Sequence, residues 1–260
     1  MKKFLKKTSL FLVTAAMTVS APLMAWALEH DIVILHTNDI HCGINDNIGF
    51  AGLAQIKKDA LARTPNVALV DAGDAIQGAP IGKLSRGLAV VDILNYLGYD
   101  FCIHGNHEFD YGMERFLELV PLQRAGYYCA NFVYAGNNKQ VLPGYKIMQY
   151  EDTKVAFVGA STPESLTTST PTFFQNEKGK YIYSFCEDKT GNKLYKQLQK
   201  NIDKARKDGA DYVFIVGHLG MDGTTPQWSS ESVAKNTQGV DAVIDGHSHE
   251  RFTRMVKNKV

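Results

Sequence analysis

Short apolar runs alternate along the chain with longer segments in which apolar residues recur every three or four positions. The short runs predict strands over residues 31–35, 66–70, 101–103, 127–133, 154–159, 212–216 and 241–244. The longer segments predict helices over residues 49–63, 87–97, 113–120 and 193–207. The segment 162–175, rich in Thr, Ser and Pro, predicts a loop. Strands that alternate with helices predict an α/β fold with apolar, largely parallel strands.

The N-terminal segment, residues 1–27, has the pattern of a secretory signal peptide. It opens with MKKFLKK, continues with the apolar run 10–19 and ends in the cleavage site Ala25-Trp26-Ala27. The alternative is a membrane anchor, but the apolar run is short for a bilayer span. We therefore expect a mature chain that begins near Leu28, is exported to the periplasm, cell envelope or extracellular space, and makes no stable membrane insertion.

The charge balance bears on the class of binding partner. The chain has 28 Lys and Arg against 27 Asp and Glu, and the predicted signal peptide holds four of the lysines, which leaves 24 against 27 and a balance of −3. No basic run remains, which argues against a nucleic acid polymer as partner.

Four cysteines allow three full pairings, yet two of them, Cys102 and Cys129, lie in apolar stretches. We expect buried thiols.

Clusters of polar side chains follow five of the predicted strands. The clusters are 36–41, 71–74, 104–108, 217–218 and 245–249. The carboxyl ends of strands in an α/β sheet lie along one edge, where ligands bind. Groups spread over more than 200 residues are therefore expected to meet in one crevice.

The side-chain types in these clusters favour a metal centre. Carboxylate, imidazole and amide groups suit divalent cations such as Zn, Mn and Fe. The candidate ligands are Asp39, His41, Asp74, Asn106, His218, His247 and His249. They offer eight contacts, enough for two ions, if Asp74 bridges the pair. Alone, Asp39 and His41 match by chance, Gly73-Asp74 is typical of a turn, and His218 is typical of a hydrogen-bonded histidine. The clusters 105–107 and 246–249 are stronger, but the ordered set carries the prediction. No Ser lies on a G-x-S-x-G turn, which argues against a serine nucleophile.

The motifs HTNDIH, GDAIQG, GNHEFDYG, GH and GHSH, in this order, resemble those of the calcineurin-like metallophosphoesterases. More narrowly, the first three are similar to the secreted bacterial 5′-nucleotidase and UDP-sugar hydrolase branch. The resemblance covers residues 31–252. It implies a sandwich of two mixed β-sheets flanked by helices, with a dinuclear metal site at the carboxyl ends of the strands.

The resemblance also implies roles for the polar residues. The ligands of one metal would be Asp39, His41, Asp74 and His249. The ligands of the second would be Asp74, Asn106, His218 and His247. His107 would face the phosphoryl group as a catalytic residue, and Asp110, three residues on, would pair with it. His104 and Glu108 receive no role, and Cys42 is interpreted as a packing residue.

The expected function is metal-dependent hydrolysis of phosphate esters, most of all 5′-nucleotides to nucleosides and phosphate, by a hydroxide that two metal ions activate. One alternative is a phosphodiesterase that acts on cyclic nucleotides or UDP-sugars. Another is a non-catalytic, metal-binding remnant of a nucleotidase.

Residues 28–260 are predicted to form one metallophosphoesterase domain. In the family, further strands and a nucleotide-binding domain follow GHSH, whereas this chain reads on only to Val260. We therefore expect a C-terminally truncated form whose second sheet is incomplete and ends in an unpaired edge.

Overall fold

The computed structural model describes residues 31–221 and 225–257, so the predicted signal peptide, residues 1–27, lies outside the described residues. The strands are β1 (Val33–Thr37), β2 (Val67–Asp71), β3 (Phe101–Cys102), β4 (Val133–Tyr134), β5 (Tyr145–Tyr150), β6 (Thr153–Ser161), β7 (Tyr183–Ser184), β8 (Tyr212–His218) and β9 (Ala242–Ile244). The α-helices are α1 (Gly49–Arg63), α2 (Pro80–Ser85), α3 (Leu88–Leu97), α4 (Met113–Leu119), α5 (Ser165–Thr168), α6 (Asn192–Lys207) and α7 (Ser230–Asn236).

The described strands form two larger sheets and one two-stranded ribbon. The three-stranded sheet has the order β1-β2-β3, and all its strands are parallel. The four-stranded sheet has the order β5-β6-β8-β9, in which β5 is antiparallel and the other three are parallel. β4 and β7 pair antiparallel. The prediction of an α/β fold with largely parallel strands is confirmed.

The two larger sheets pack face to face through an apolar layer. Val70 and Phe101 come from the three-stranded sheet, and Phe157 and Val216 come from the four-stranded sheet, and all four are fully buried in one cluster. The rings of Phe101 and Phe157 lie 5.7 Å apart between centroids. This layer makes the molecule the predicted sandwich of two sheets.

Helices cover the outer faces of the sandwich because their apolar residues recur at helical spacing. In α6, Leu194, Leu198 and Ile202 lie four residues apart and are buried against Val213 and Ile215 of β8. Full burial of such a side chain stabilises the fold by about 1.5–3 kcal/mol. This packing holds β8 in register, and β8 ends at His218.

Residues 127–133 do not form the strand that their apolar character predicted. Tyr127 makes one isolated bridge with Cys102, and β4 begins only at Val133. The segment is buried, but its polar groups bond to scattered partners instead of a ladder. The Asn131 side chain, for example, donates to Ser161 O at 2.7 Å and to Phe185 O at 2.9 Å.

Two further boundaries differ from the sequence predictions. The helix expected over residues 113–120 ends at Leu119 and passes into a 3₁₀ turn, Val120–Leu122, that contains Pro121. The segment 162–175, expected to be a loop, contains α5 and the 3₁₀ turn Pro171–Phe174. The other predicted helices and strands agree with the structure to within about two residues, the usual uncertainty of element ends. The sequence pattern did not predict α2, β5, β7 or α7.

All four cysteines are buried and free, as the prediction of buried thiols required. In the described part of the chain, no helix is both long and apolar enough to cross a membrane. β9 pairs only with β8 among the described strands and therefore forms an edge of the four-stranded sheet.

Candidate metal centre

Loops at the carboxyl ends of strands from both larger sheets meet at one place. The loop after β1 is bonded to the loop after β2, since Asp39 N donates to Gly73 O at 3.0 Å and His41 N donates to Asp74 O at 2.9 Å. The loop after β9 joins them, because His247 N donates to the two carboxylate oxygens of Asp39 at 3.1 and 3.0 Å. The backbone thus brings three of the predicted polar clusters together.

One set of predicted ligands, the outer group, consists of Asp39, His41 and His249. Ligand atoms of the three lie within 4.8 Å of one another. His249 Nε2 lies 3.3 Å from His41 Nε2 and 3.4 Å from Asp39 Oδ1. The side chain of His249 is 59% exposed, so the outer group opens to solvent.

A second set, the inner group, consists of Asp74, His218 and His247, whose ligand atoms also lie within 4.8 Å of one another. Asp74 and His218 are fully buried. His218 Nδ1 lies 2.8 Å from the carbonyl oxygen of Ala72, so this nitrogen carries the donated proton. The contact turns the other nitrogen, Nε2, towards Asp74 Oδ2 at 3.0 Å.

Two carboxylates stand between the groups. Asp74 Oδ2, in the inner group, lies 3.9 Å from His41 Nε2 of the outer group. Asp39 Oδ1, in the outer group, lies 3.9 Å from His218 Nε2 of the inner group. The two groups are therefore halves of one centre, and Asp74 lies where the sequence prediction requires a bridging ligand.

Buried polar atoms without a hydrogen bond inside the centre fit a cation. Asn106 is 3% exposed, and its Oδ1 makes no hydrogen bond among the described residues. His218 Nε2 also makes none, although it lies 3.0 Å from Asp74 Oδ2. Buried polar atoms are rarely left without a partner, and a divalent cation would satisfy both.

The backbone of the centre is strained. Five of the seven predicted ligands have the positive φ that non-glycine residues seldom adopt. They are Asp39 at 50°, His41 at 46°, Asp74 at 57°, His247 at 83° and His249 at 55°. Such conformations cost of order 1–3 kcal/mol each and persist where the surrounding structure enforces them, most often at functional sites.

The buried charges of the inner group stabilise each other. Burial lowers the pKa of His218, but the neighbouring Asp74 carboxylate outweighs it and raises the pKa to about 10. Burial raises the pKa of Asp74, but His218 outweighs it and lowers the pKa well below its usual range. A positive charge is thus strongly favoured beside Asp74, and a bound cation could take the place of the imidazolium proton.

His107 and Asp110 form a separate pair at the mouth of the centre. His107 Nδ1 lies 2.7 Å from Asp110 Oδ2, and the His107 side chain is 35% exposed. Its ring packs edge-on to that of His41, with centroids 5.2 Å apart. The hydrogen bond to Asp110 raises the pKa of His107 despite partial burial. The structure therefore keeps His107 outside both groups and beside the outer one.

Two carboxylates near the centre had no role in the sequence predictions. Glu108 is buried, and its carboxylate accepts hydrogen bonds from backbone N–H groups of the loops that carry Asp74 and Asn106. Glu164 lies with Oε2 3.3 Å from His247 Nε2. Glu108 was visible next to His107, but nothing in the sequence marks Glu164, which lies in the Thr- and Ser-rich segment.

Two neighbours of the first motif fill supporting positions. Asn38 Nδ2 donates to Asp39 Oδ2 at 2.7 Å and so orients that carboxylate. Cys42 is buried in the apolar core, and burial raises the pKa of its thiol to about 11. A thiol that remains protonated in the core is a packing group, in agreement with the sequence interpretation.

Comparisons with known proteins identify the family. The calcineurin-like phosphoesterase family model matches residues 32–251. The snake venom 5′-nucleotidase of Gloydius brevicauda is 28% identical over 92% of this chain and 40% of its own length. The 2′,3′-cyclic-nucleotide 2′-phosphodiesterase/3′-nucleotidase of Haemophilus influenzae is 27% identical, with the same coverage of 92% and 40%. The chain thus spans about two fifths of the length of these relatives.

A solved structure shares the fold. The calcineurin-like phosphoesterase YfkN from Bacillus subtilis superposes with a TM-score of 0.72 at 24% identity, over 86% of this chain and 73% of that one. The family uses divalent metal ions, as the two groups of candidate ligands would require. Since the family model covers most of its length, the chain belongs to the calcineurin-like phosphoesterase family, whose chemistry is the hydrolysis of phosphoric esters.

Proposed function

We propose that this chain hydrolyses the phosphate ester of nucleotides, most of all 5′-nucleotides, to a nucleoside and phosphate. The observation that carries the proposal is the shared centre, in which Asp74 Oδ2 lies 3.0 Å from His218 Nε2 and 3.9 Å from His41 Nε2. A carboxylate placed between two groups of ligands suits a pair of divalent metal ions. The similarity to proteins named 5′-nucleotidases supports the substrate class.

The candidate ligands divide between the two ions according to the groups. Asp39, His41 and His249 would hold the outer ion, with Asp74 shared. The inner ion would be held by Asp74, Asn106, His218 and His247. When bound, such ions polarise the phosphoryl oxygens and make a hydroxide nucleophile available near neutral pH. Zn, Mn and Fe suit this mixture of nitrogen and oxygen donors.

His107 is the proposed proton donor. Its Nδ1 is engaged by Asp110 at 2.7 Å, so Nε2 is the nitrogen available to a substrate. Hydrolysis adds water across the phosphorus–oxygen ester bond, with the water oxygen joining phosphorus and a proton going to the leaving oxygen. An imidazolium held by Asp110 would donate that proton, and before donation it would also stabilise negative charge on the phosphoryl group.

The test measures metal content and hydrolysis together. The purified protein should bind two divalent ions per chain and hydrolyse AMP when Mn or Zn is supplied, and a chelator should abolish both. In the Asp74→Asn variant, which keeps the shape of the side chain, both metal content and hydrolysis should fall, since the amide cannot bridge two ions as a carboxylate does. Two bound ions with no hydrolysis would indicate a non-catalytic remnant, and no bound ions would contradict the proposal.

A second candidate is a phosphodiesterase that acts on cyclic nucleotides. The observation that favours it is the 27% identity to the Haemophilus influenzae protein whose name includes 2′,3′-cyclic-nucleotide 2′-phosphodiesterase. Rates with AMP, 2′,3′-cyclic AMP, UDP-glucose and p-nitrophenyl phosphate would separate the candidates. A higher kcat/KM for the cyclic nucleotide than for AMP would favour the second candidate, and a preference for UDP-glucose would contradict both.

We also propose that the protein is exported and that residues 28–260 form the catalytic domain. The signal peptide pattern of residues 1–27 supports export. Expression of the full chain in a Gram-negative host, followed by cell fractionation and N-terminal sequencing, tests the proposal. A mature protein in the periplasm that begins at Leu28 is expected, and an uncleaved protein that remains in the cytoplasm would contradict it.

A further inference from the structure

Glu108 is a buried carboxylate whose hydrogen bonds go to the backbone. It lies in the 3₁₀ turn His107–Phe109 and is 1% exposed. Oε2 accepts from Asp74 N at 2.8 Å and from Gly105 N at 2.6 Å. Oε1 accepts from Ala75 N at 2.8 Å and from Ile76 N at 3.2 Å. Each oxygen therefore serves two N–H groups, and one side chain ties the loop after β2 to the loop after β3.

The four bonds surround the residue that stands between the two metal groups. Asp74 has a φ of 57°, and its own N–H is one of the donors to Glu108. Its Oδ1 accepts from His107 N at 2.8 Å, next in the chain to Glu108. The remaining oxygen, Oδ2, is the one that faces His218 at 3.0 Å and His41 at 3.9 Å. The orientation of Asp74 is thus enforced from the turn that contains Glu108.

The hydrogen bonds of Glu108 also fix the backbone next to Asn106. Gly105, which donates to Glu108, passes so close to the inner group that an added Cβ would lie 2.1 Å from Asp74 Oδ1 and 2.7 Å from His218 Nε2. A glycine is required for that approach. The bond from Gly105 N fixes the backbone immediately before Asn106, whose Oδ1 is buried without a hydrogen bond.

We propose that Glu108 is a positioning residue that holds Asp74 and Asn106 in their ligand geometry before any metal ion binds. The inference rests on the proposed two-metal centre, and it assigns a role in metal affinity to a side chain that contacts neither ion. A carboxylate is suited to the task because it accepts from both loops at once with two equivalent oxygens.

The Glu108→Gln variant tests this with little change in shape. A Gln side chain has one oxygen, so in either orientation its NH₂ group faces two N–H donors, those of Asp74 and Gly105 or those of Ala75 and Ile76. We expect the affinity for the inner ion, whose ligands include Asp74 and Asn106, to fall by about 10–100-fold, the usual effect of removing a partner behind the ligands. In the Mn-loaded protein, the electron paramagnetic resonance signal of the coupled pair should weaken or change.

Glu187→Gln is the matched control. Glu187 also accepts a backbone N–H, from Phe185 at 3.0 Å, together with the hydroxyl of Ser184 at 2.7 Å. This variant should keep wild-type metal affinity and the wild-type Mn signal. If Glu108→Gln binds two ions with wild-type affinity and an unchanged Mn signal, Glu108 serves the fold alone and the proposal is wrong.

A measurement on the wild-type protein covers the case in which Glu108→Gln does not fold. In the metal-free protein, hydrogen exchange at the amides of Asp74, Ala75, Ile76 and Gly105 should already be as slow as in β2. Fast exchange that slows only when metal is added would overturn the proposal. If instead the wild-type protein binds no metal while these amides remain protected, the proposed function fails, and Glu108 fixes the two loops without a role in metal affinity.

Discussion

The inner and outer groups contain similar residues, yet the fold holds them in different ways. In the inner group Asp74 and His218 are buried, and His218, the last residue of β8, is fixed by the carbonyl oxygen of Ala72 at 2.8 Å. The outer group is more open, since the side chains of His41 and His249 are 25% and 59% exposed. Buried side chains thus form most of the inner half of the centre, whereas in the outer half two histidines are accessible to solvent. We therefore expect the inner ion to bind more tightly than the outer ion, and the outer ion to exchange faster with metal ions in solution.

The largest effect is expected at the residue that belongs to both halves. Asp74→Ala removes the carboxylate that faces His218 at 3.0 Å and His41 at 3.9 Å, so both sites lose a ligand at once. We expect loss of both ions and hydrolysis at the background rate, measured by metal analysis and AMP turnover. If the variant keeps one tightly bound ion, the two groups are independent sites and Asp74 is not a bridge.

His107→Asn should impair catalysis without disturbing either half. His107 lies outside both groups, so the metal content should remain that of the wild-type protein. Loss of a proton donor typically lowers kcat by about 10²–10⁴-fold. The measurement is kcat for AMP beside metal stoichiometry. Loss of a metal ion from this variant would make His107 a ligand and would contradict the assigned role.

The sequence was sufficient for the five clusters because each follows an apolar strand, and strand order sets where carboxyl ends meet. The order of strands and clusters does not show that the metal centre has a buried half and an exposed half. That division depends on side-chain burial across the junction of two sheets, for example the approach of His247 N to Asp39 at 3.0 Å. The strand pattern predicts that these residues, 208 positions apart, share one crevice, but it does not report the contact between them.

The supporting residues were hidden for a related reason. Glu108 and Glu164 look like ordinary loop acids, and only the fold shows that the first accepts four N–H groups and that the second reaches His247 at 3.3 Å. At residues 127–133 the error is different, because the sequence predicted a strand that the structure does not form. The apolar residues of this segment indicated burial correctly, but burial alone does not distinguish a strand from a buried loop whose donors find partners elsewhere.

A pair of variants compares the two halves directly. His218→Ala leaves the buried carboxylate of Asp74 without its imidazole partner, and breaking such a buried pair typically lowers the free energy of unfolding by about 3–5 kcal/mol. His249→Ala removes an exposed side chain and should change that free energy by no more than about 0.5 kcal/mol, while still losing the outer ion. Urea unfolding of the metal-free variants measures both. Equal destabilisation by the two variants would remove the distinction between the halves.

The smallest expected effect concerns His104, a buried histidine that is not a candidate metal ligand. His104 is as fully buried as His218, but it packs against aromatic rings, including Phe109 at 5.0 Å and Phe132 at 5.2 Å between centroids. Burial lowers the pKa of His104 to about 3, whereas Asp74 reverses the effect of burial at His218 and raises its pKa to about 10. The pKa values of these two buried histidines shift in opposite directions because only His218 has a carboxylate oxygen at 3.0 Å.

The sign of the resulting pH effect follows from linkage. The unfolded chain protonates His104 below pH of about 6.5, and the folded chain does not, so acidification favours unfolding. Between pH 7.5 and 5.5 this site should lower the free energy of unfolding by about 1.4 kcal/mol. The metal-free His104→Leu variant should lack that part of the pH dependence, measured by urea unfolding at the two pH values. Phe132→Leu, which alters the same aromatic cluster without a titrating group, should keep the wild-type dependence. Parallel curves for the wild-type protein and His104→Leu would mean that His104 has the same pKa in the folded and the unfolded chain, and burial would then no longer explain why it differs from His218.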